Sequence, residues 1–342
     1  MAFSERFFTL PEHTSAVFFT FLRSFVIFIV IRLQNPLGSV LQRLFVHNTF
    51  TFIRYTIRRF SERRCRSVTR FLTRLREDRA TLFFLLSTLL AVLACTLRTL
   101  ALFFGFDTEI GYFRSGSLLV IATYICTALC VLCCAAIPFL INIGAHPREK
   151  DPLPTPRFIS SAVCAAALCV AAFHLFTNGD QVPAPAILVL LTALCLLVGA
   201  TYFLVRLFGG KTRTAVALGF FMILAAALCL ATTYFDRYTQ MNAPHKLSLH
   251  LCMLAIMFGM LYELRALLDR SLPRACMAAT TLAAALCFVY SLSNTIAFLG
   301  GVYDDVTYFL FDLVTLGFAA YFTTKCLRLA VPPIPEKTEV EQ

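Results

Sequence analysis

The pattern of hydrophobic and polar positions changes character near residue 80. From there to about residue 330, long apolar runs alternate with short polar connections. A helix needs about 20 apolar residues to cross the ~30 Å hydrocarbon core of a bilayer. Eight runs meet that need, at 81–104, 117–141, 159–177, 185–207, 214–235, 248–267, 276–297 and 306–328. Backbone polar groups in lipid must be bonded within their own segment, so each run is predicted to be helical. The expected fold class is all-α, a polytopic transmembrane helical bundle of eight spans.

Composition narrows the class further. Of the 342 residues, 59% are hydrophobic and 14% are charged, against about 25% charged in soluble domains. That balance excludes a water-soluble globular enzyme and a disordered chain.

Loop charge supplies an orientation, because basic residues concentrate on the cytoplasmic side. Arg70, Arg74, Arg76 and Arg79 precede the first span. Arg148, Lys150 and Arg157 follow the second, Arg206, Lys211 and Arg213 the fourth, and Arg265, Arg270 and Arg274 the sixth. Lys325, Arg328 and Lys337 follow the last. The intervening loops are acidic or poor in basic residues: Asp107 and Glu109; Asp180; Asp236 with Arg237 and Lys246; Asp304 and Asp305. The alternation holds at every crossing, so both termini are expected in the cytoplasm of a multi-pass cell-membrane protein.

Three regions are therefore expected: a basic segment at 1–79, the eight-span domain at 80–330, and a flexible cytoplasmic tail at 331–342. The net charge of +11 is concentrated at the start. Residues 1–67 hold ten Arg and no Lys against Glu5, Glu12 and Glu62, a net +7. Beside membrane spans, such a segment reads as one held against anionic lipid rather than as a nucleic-acid arm. No nucleic-acid partner is expected. The stretch 15–31 is apolar but has Arg23 at its middle, and it lacks the cleavage pattern of a signal peptide. Phe-rich and Lys-free usage also fits a second reading, in which the native start lies downstream. No Met follows Met1 until Met222, so that start would use a non-Met codon, for example at Val68. The prolines at 147, 152, 154 and 156 predict an extended connector.

Internal repetition is hinted at. Ala-Ala-Ala-Leu-Cys recurs at 165–169, 225–229 and 283–287, each in an odd-numbered span. A repeat of that period would make the bundle four helical hairpins. Of the fourteen cysteines, all but Cys65 lie in or at the ends of apolar runs, and no pair flanks a loop as a disulfide framework would. Cys126, Cys130, Cys133 and Cys134 share a helical face and read as small polarisable packing residues. No metal and no cofactor is expected.

Ionisable residues within a span are costly, which makes each one a functional candidate. Arg98 in the first span and Asp312 in the last lie at similar depth with opposite charge. They are expected to form an ion pair, either structural or part of a ligand pocket. An outer polar layer surrounds them: His174, Asp236, His250, Asn294, Asp304 and Asp305. Glu263, near the inner interface, is expected to snorkel or to bond a basic neighbour locally. Phosphate-loop, dinucleotide, zinc-protease and serine-hydrolase motifs are missing.

The strings Phe106-Asp107-Thr108-Glu109-Ile110-Gly111-Tyr112-Phe113, Gly116-Ser117-Leu118-Leu119, Met241-Asn242-Ala243-Pro244-His245-Lys246 and Leu261-Tyr262-Glu263-Leu264-Arg265 resemble a group of uncharacterised multi-span membrane proteins of Gram-positive anaerobes. The resemblance covers about residues 80–330. It implies the same multi-span architecture and carries no activity with it.

Three functions are expected in descending order. The first is binding or transport of a small solute through an outward-facing polar pocket, with Arg98 on an anionic group and Asp312 balancing it. The second is a non-transporting scaffold, sensor or partner subunit, whose partner would be another membrane protein. The third is an intramembrane enzyme using His250 or His174. Membrane lipids are the one partner common to all three. Little Gly or Pro interrupts the spans, which counts against a standard secondary transporter.

Overall fold

The computed structural model describes residues 79–107, 110–114, 116–140, 154–208, 212–236, 238–240, 243–268, 270 and 272–330. The expectations for the basic segment up to residue 78 and for the tail from 331 fall outside these residues. The described chain forms eight long helices: α1 Arg79–Phe104, α2 Leu118–Leu140, α3 Pro154–Asn178, α4 Ala186–Leu207, α5 Thr212–Tyr234, α6 Pro244–Leu267, α7 Pro273–Leu299 and α8 Val306–Ala330. Each contains an apolar span of 22 to 27 residues, enough to cross a bilayer.

Local sequence explains four of the eight helix starts. Pro244 and Pro273 open α6 and α7, where a missing N–H costs nothing and the fixed φ favours the helix. Pro154 and Pro156 likewise fall in the first turn of α3, so the proline-rich connector becomes helical at its second half. Its first half lies outside the described residues. Asp305 caps α8 by accepting from the backbone N–H of Thr307 at 2.7 Å and of Tyr308 at 3.1 Å. Pro138 lies within the last turn of α2, near the end of the helix, where a lost donor matters least.

Between α1 and α2 the chain departs from the all-helical expectation. Phe106–Asp107 (β1) and Tyr112–Phe113 (β2) pair antiparallel, with Phe106 opposite Phe113. Asp107 shapes the turn, its carbonyl accepting from Gly111 N at 2.8 Å and its carboxylate from Ile110 N at 3.3 Å. Gly111 sits at φ 77°, a left-handed conformation that needs no Cβ there.

Helices α3 to α8 form a ring in which each packs on the next and α8 closes back on α3. The α1–α2 hairpin stands outside this ring and packs on α7. Burial follows that arrangement: 28% of the span is buried in both α1 and α2, against 67% in α8. Toward the end of the bundle opposite the β-hairpin, aromatic side chains pack inside the ring. Phe203 of α4 meets Tyr321 and Phe318 of α8 edge-on, at 5.0 and 5.6 Å between ring centroids. Small residues admit the close helix contacts that lipid-embedded packing favours. A Cβ on Gly259 would come within 2.6 Å of the Phe322 ring.

The recurring Ala-Ala-Ala-Leu-Cys string is used in two ways. In α5 and α7 its cysteine, Cys229 or Cys287, is buried. In α3 the string is rotated, and Cys169 is exposed.

Candidate functional site

Arg98, on α1, reaches across to α6 and α7 near the end of the bundle that carries the β-hairpin. Its Nη2 donates to Ser248 Oγ at 3.1 Å, to Asn294 Oδ1 at 3.3 Å and to the Pro244 carbonyl at 3.4 Å. Its guanidinium lies over the Tyr290 ring, 4.7 Å from the centroid, where the ring's negative face favours a cation. Nε has no hydrogen-bond partner.

Asn294 connects this cation to Asp312. While its Oδ1 faces Arg98, its Nδ2 donates to Asp312 Oδ1 at 3.3 Å and to Ser248 Oγ at 3.2 Å. Arg98, Asn294 and Asp312 are all buried. The two charges are thus joined through a neutral amide, whose acceptor end faces the cation and donor end the carboxylate. Ser248 completes the centre by donating to the His245 carbonyl at 2.8 Å.

Arg98 and Tyr290 form the deep end of a cavity of about 410 Å³. Val120, Ile121 and Tyr124 of α2 make one wall and Leu247, Ser248 and Leu251 of α6 the other. Tyr112, Phe113 and Arg114 cover it from the hairpin side. A line of rings anchors this cover. Phe106 touches Phe113 at 5.7 Å and Tyr303 at 5.2 Å, and Tyr303 touches His245 at 4.8 Å. Burial pushes the Tyr303 phenol above its usual range. The cavity lining holds two arginines and no carboxylate.

The remaining outer-layer candidates are dispersed. His174 shares a hydrogen bond with Thr307 at 3.4 Å, tying α3 to α8. His250 shares one with Thr233 at 2.9 Å, tying α6 to α5. Asp236 shapes its own loop, accepting from Tyr238 N at 2.9 Å and from Tyr308 OH at 2.9 Å. Lys246 is fully buried and donates to the Asp236 and Thr239 carbonyls, each at 3.2 Å. Asp305 is a helix cap, and Asp304 is exposed. None of these lines the cavity.

Glu263 corrects the expectation of a local bond. It is 3% exposed, and its partners come from other helices. Its carboxylate accepts from Tyr202 OH of α4 at 2.8 Å and from Tyr321 OH of α8 at 2.6 Å. Lys325, also of α8, pairs with it at 2.8 Å. Three helices therefore meet on one carboxylate at the end opposite the β-hairpin. The pattern that would have revealed it is a Tyr and a Lys four residues apart on one face of the last span, at the depth of an intramembrane Glu.

Cys130 and Cys134 pack with Ala91, Ala94 and Val289 between α1, α2 and α7, and the Cys130 thiol donates to the Ser87 carbonyl at 3.4 Å. Among the described residues, no three His, Cys, Asp or Glu side chains gather as a metal would require. Comparisons with protein-family models, curated proteins and solved structures find no match. What its own eight apolar helices establish is that the chain is a polytopic membrane protein.

Proposed function

We propose that this protein binds a small anionic solute in the cavity beneath the β-hairpin, as the recognition step of transport or of sensing. The observation that carries this reading is a buried arginine at the deep end of a cavity that holds no carboxylate. Burying a cation is expensive unless it is paired or hydrogen-bonded. Here Asp312 balances Arg98 at one remove through Asn294, which leaves the guanidinium able to accept a second anion. A cavity of about 410 Å³ suits a small molecule. Loop charge supports the hairpin end as the outer one, with both termini in the cytoplasm.

A second reading, a non-transporting sensor or partner subunit, is favoured by the aromatic packing inside the ring, where Phe203 of α4 meets Tyr321 of α8. The two readings share the site and differ in whether the bound anion then crosses the membrane.

Thermal unfolding of the purified protein, with acetate, benzoate and inorganic phosphate as probes, tests the shared step. At least one anion is expected to raise the melting temperature in the native protein and not in Arg98→Gln. Equal responses in both proteins would overturn the proposal. Uptake of the stabilising anion into proteoliposomes then separates transport from sensing.

A further inference from the structure

We infer that the natural occupant is a single-chain anionic amphiphile that enters sideways from the lipid, with its head on Arg98 and its chain between α2 and α6. This rests on the anion-binding reading of the same cavity and names the class of ligand.

The first observation is the contrast between the deep end and the mouth. Arg98 is 2% exposed and Tyr290 5%, whereas Ile121, Tyr124, Leu247 and Leu251 are between 42% and 53% exposed. Those four lie in the first two turns of membrane-spanning helices, at the lip of the cavity that they line. The second is that α2 and α6 both pack on α7 but leave a cleft between them. The mouth is therefore an apolar slot opening into the membrane. The third is the lining at the hairpin end. Residues 112–114 narrow the cavity there, while a chain already in the leaflet needs only to slide its head inward between α2 and α6. The fourth is charge. Arg98 has an unpartnered Nε, and Arg114, exposed on the cover, is the other charge at the cavity. A carboxylate or phosphate head suits both, whereas a zwitterionic head would set its cation against them. About 410 Å³ holds a head and part of one chain, not a two-chain lipid.

A chain-length series tests this. Acetate, octanoate, decanoate, dodecanoate and decyl phosphate are titrated onto the full-length protein in nanodiscs, with decanol as the neutral control. Binding is read by intrinsic tyrosine fluorescence and by thermal shift. Affinity, referred to free aqueous ligand after subtracting partition into empty nanodiscs, is expected to rise by up to about three- to fourfold for each added methylene, the factor for taking one CH₂ out of water, until the chain fills the slot. Arg98→Gln should abolish the advantage of decanoate over decanol. Leu251→Trp, a change in the wall that would hold the chain, should weaken decanoate at least tenfold, and more than it weakens acetate, as read by thermal shift. Carboxylate against phosphate at equal chain length identifies the head. Arg98-dependent binding of acetate with no gain along the series overturns the amphiphile and leaves the anion site standing. Equal series in native protein and Arg98→Gln, or equal binding of decanol, means partition into lipid and overturns both.

Discussion

The two ends of the bundle solve the burial of charge in different ways. At the end opposite the hairpin, Glu263 meets Lys325 directly at 2.8 Å and two tyrosine hydroxyls close the shell. At the hairpin end, Arg98 and Asp312 are held apart by Asn294, and the cation borders a cavity. The first cluster uses its charges on each other, so its energetic consequence is structural. The second meets its cation with neutral acceptors and a ring face beside a cavity, and it is on this difference that the proposed anion site rests.

The sharpest way to break the comparison is to remove one charge from each end. Glu263→Ala strands Lys325 and two hydroxyls, and it is expected to cost about 3–5 kcal/mol in denaturant or thermal unfolding. Arg98→Gln is expected to cost about half of that or less, since Asp312 keeps its bond from Asn294 and the glutamine amide can still donate to Ser248 or Asn294. Equal losses would erase the distinction between a structural and a functional cluster. Asn294→Leu removes the amide that separates the charges, and a loss of about 1.5–3 kcal/mol is expected for bonds to charged groups. Tyr321→Phe deletes one hydroxyl from the Glu263 shell, and about 1.5 kcal/mol is expected. Asp305→Ala, removing the cap of α8, should cost about 1 kcal/mol. Asp304→Asn, at an exposed position, should fall within ~0.5 kcal/mol of the native protein. A large effect there would show that the outer polar layer acts as one unit.

Spans were legible because a bilayer imposes one length and one composition on every crossing, and the runs bounded each helix to within a few residues. Arg98, Asn294 and Asp312 were legible for a related reason: polar groups at that depth are too expensive to be incidental. Their connection was not. Hydropathy fixes depth along the membrane normal but carries no information about which helix neighbours which, so the interposition of Asn294 depended on α7 lying between α1 and α8. Ser248 was hidden because the sixth run was read as starting at residue 248, whereas Pro244 begins the helix a turn earlier and turns Ser248 inward. Tyr202 and Tyr321 resemble ordinary interfacial tyrosines until α4 and α8 are seen to face each other across the ring. The β-hairpin read as a loop, although Gly111 and Gly116 were visible turn signals.

The position of α7 also bears on how the chain is made. The α1–α2 hairpin is synthesised first, yet the helix on which it docks begins only at Pro273. At ~5–20 residues per second, roughly 7–27 s separate the completion of α2 from the emergence of α7. Throughout that interval Arg98 must remain in the bilayer without Asn294 or Tyr290. An Arg at a helix centre raises the cost of insertion by about 2.5–3.5 kcal/mol; Arg98 lies nearer the end of its span, and the leucines and phenylalanines of α1 must offset its smaller cost unaided. The apolar side chains of the first helix, only 28% of whose span is buried in the finished bundle, therefore have to hold it in the membrane until its partner arrives.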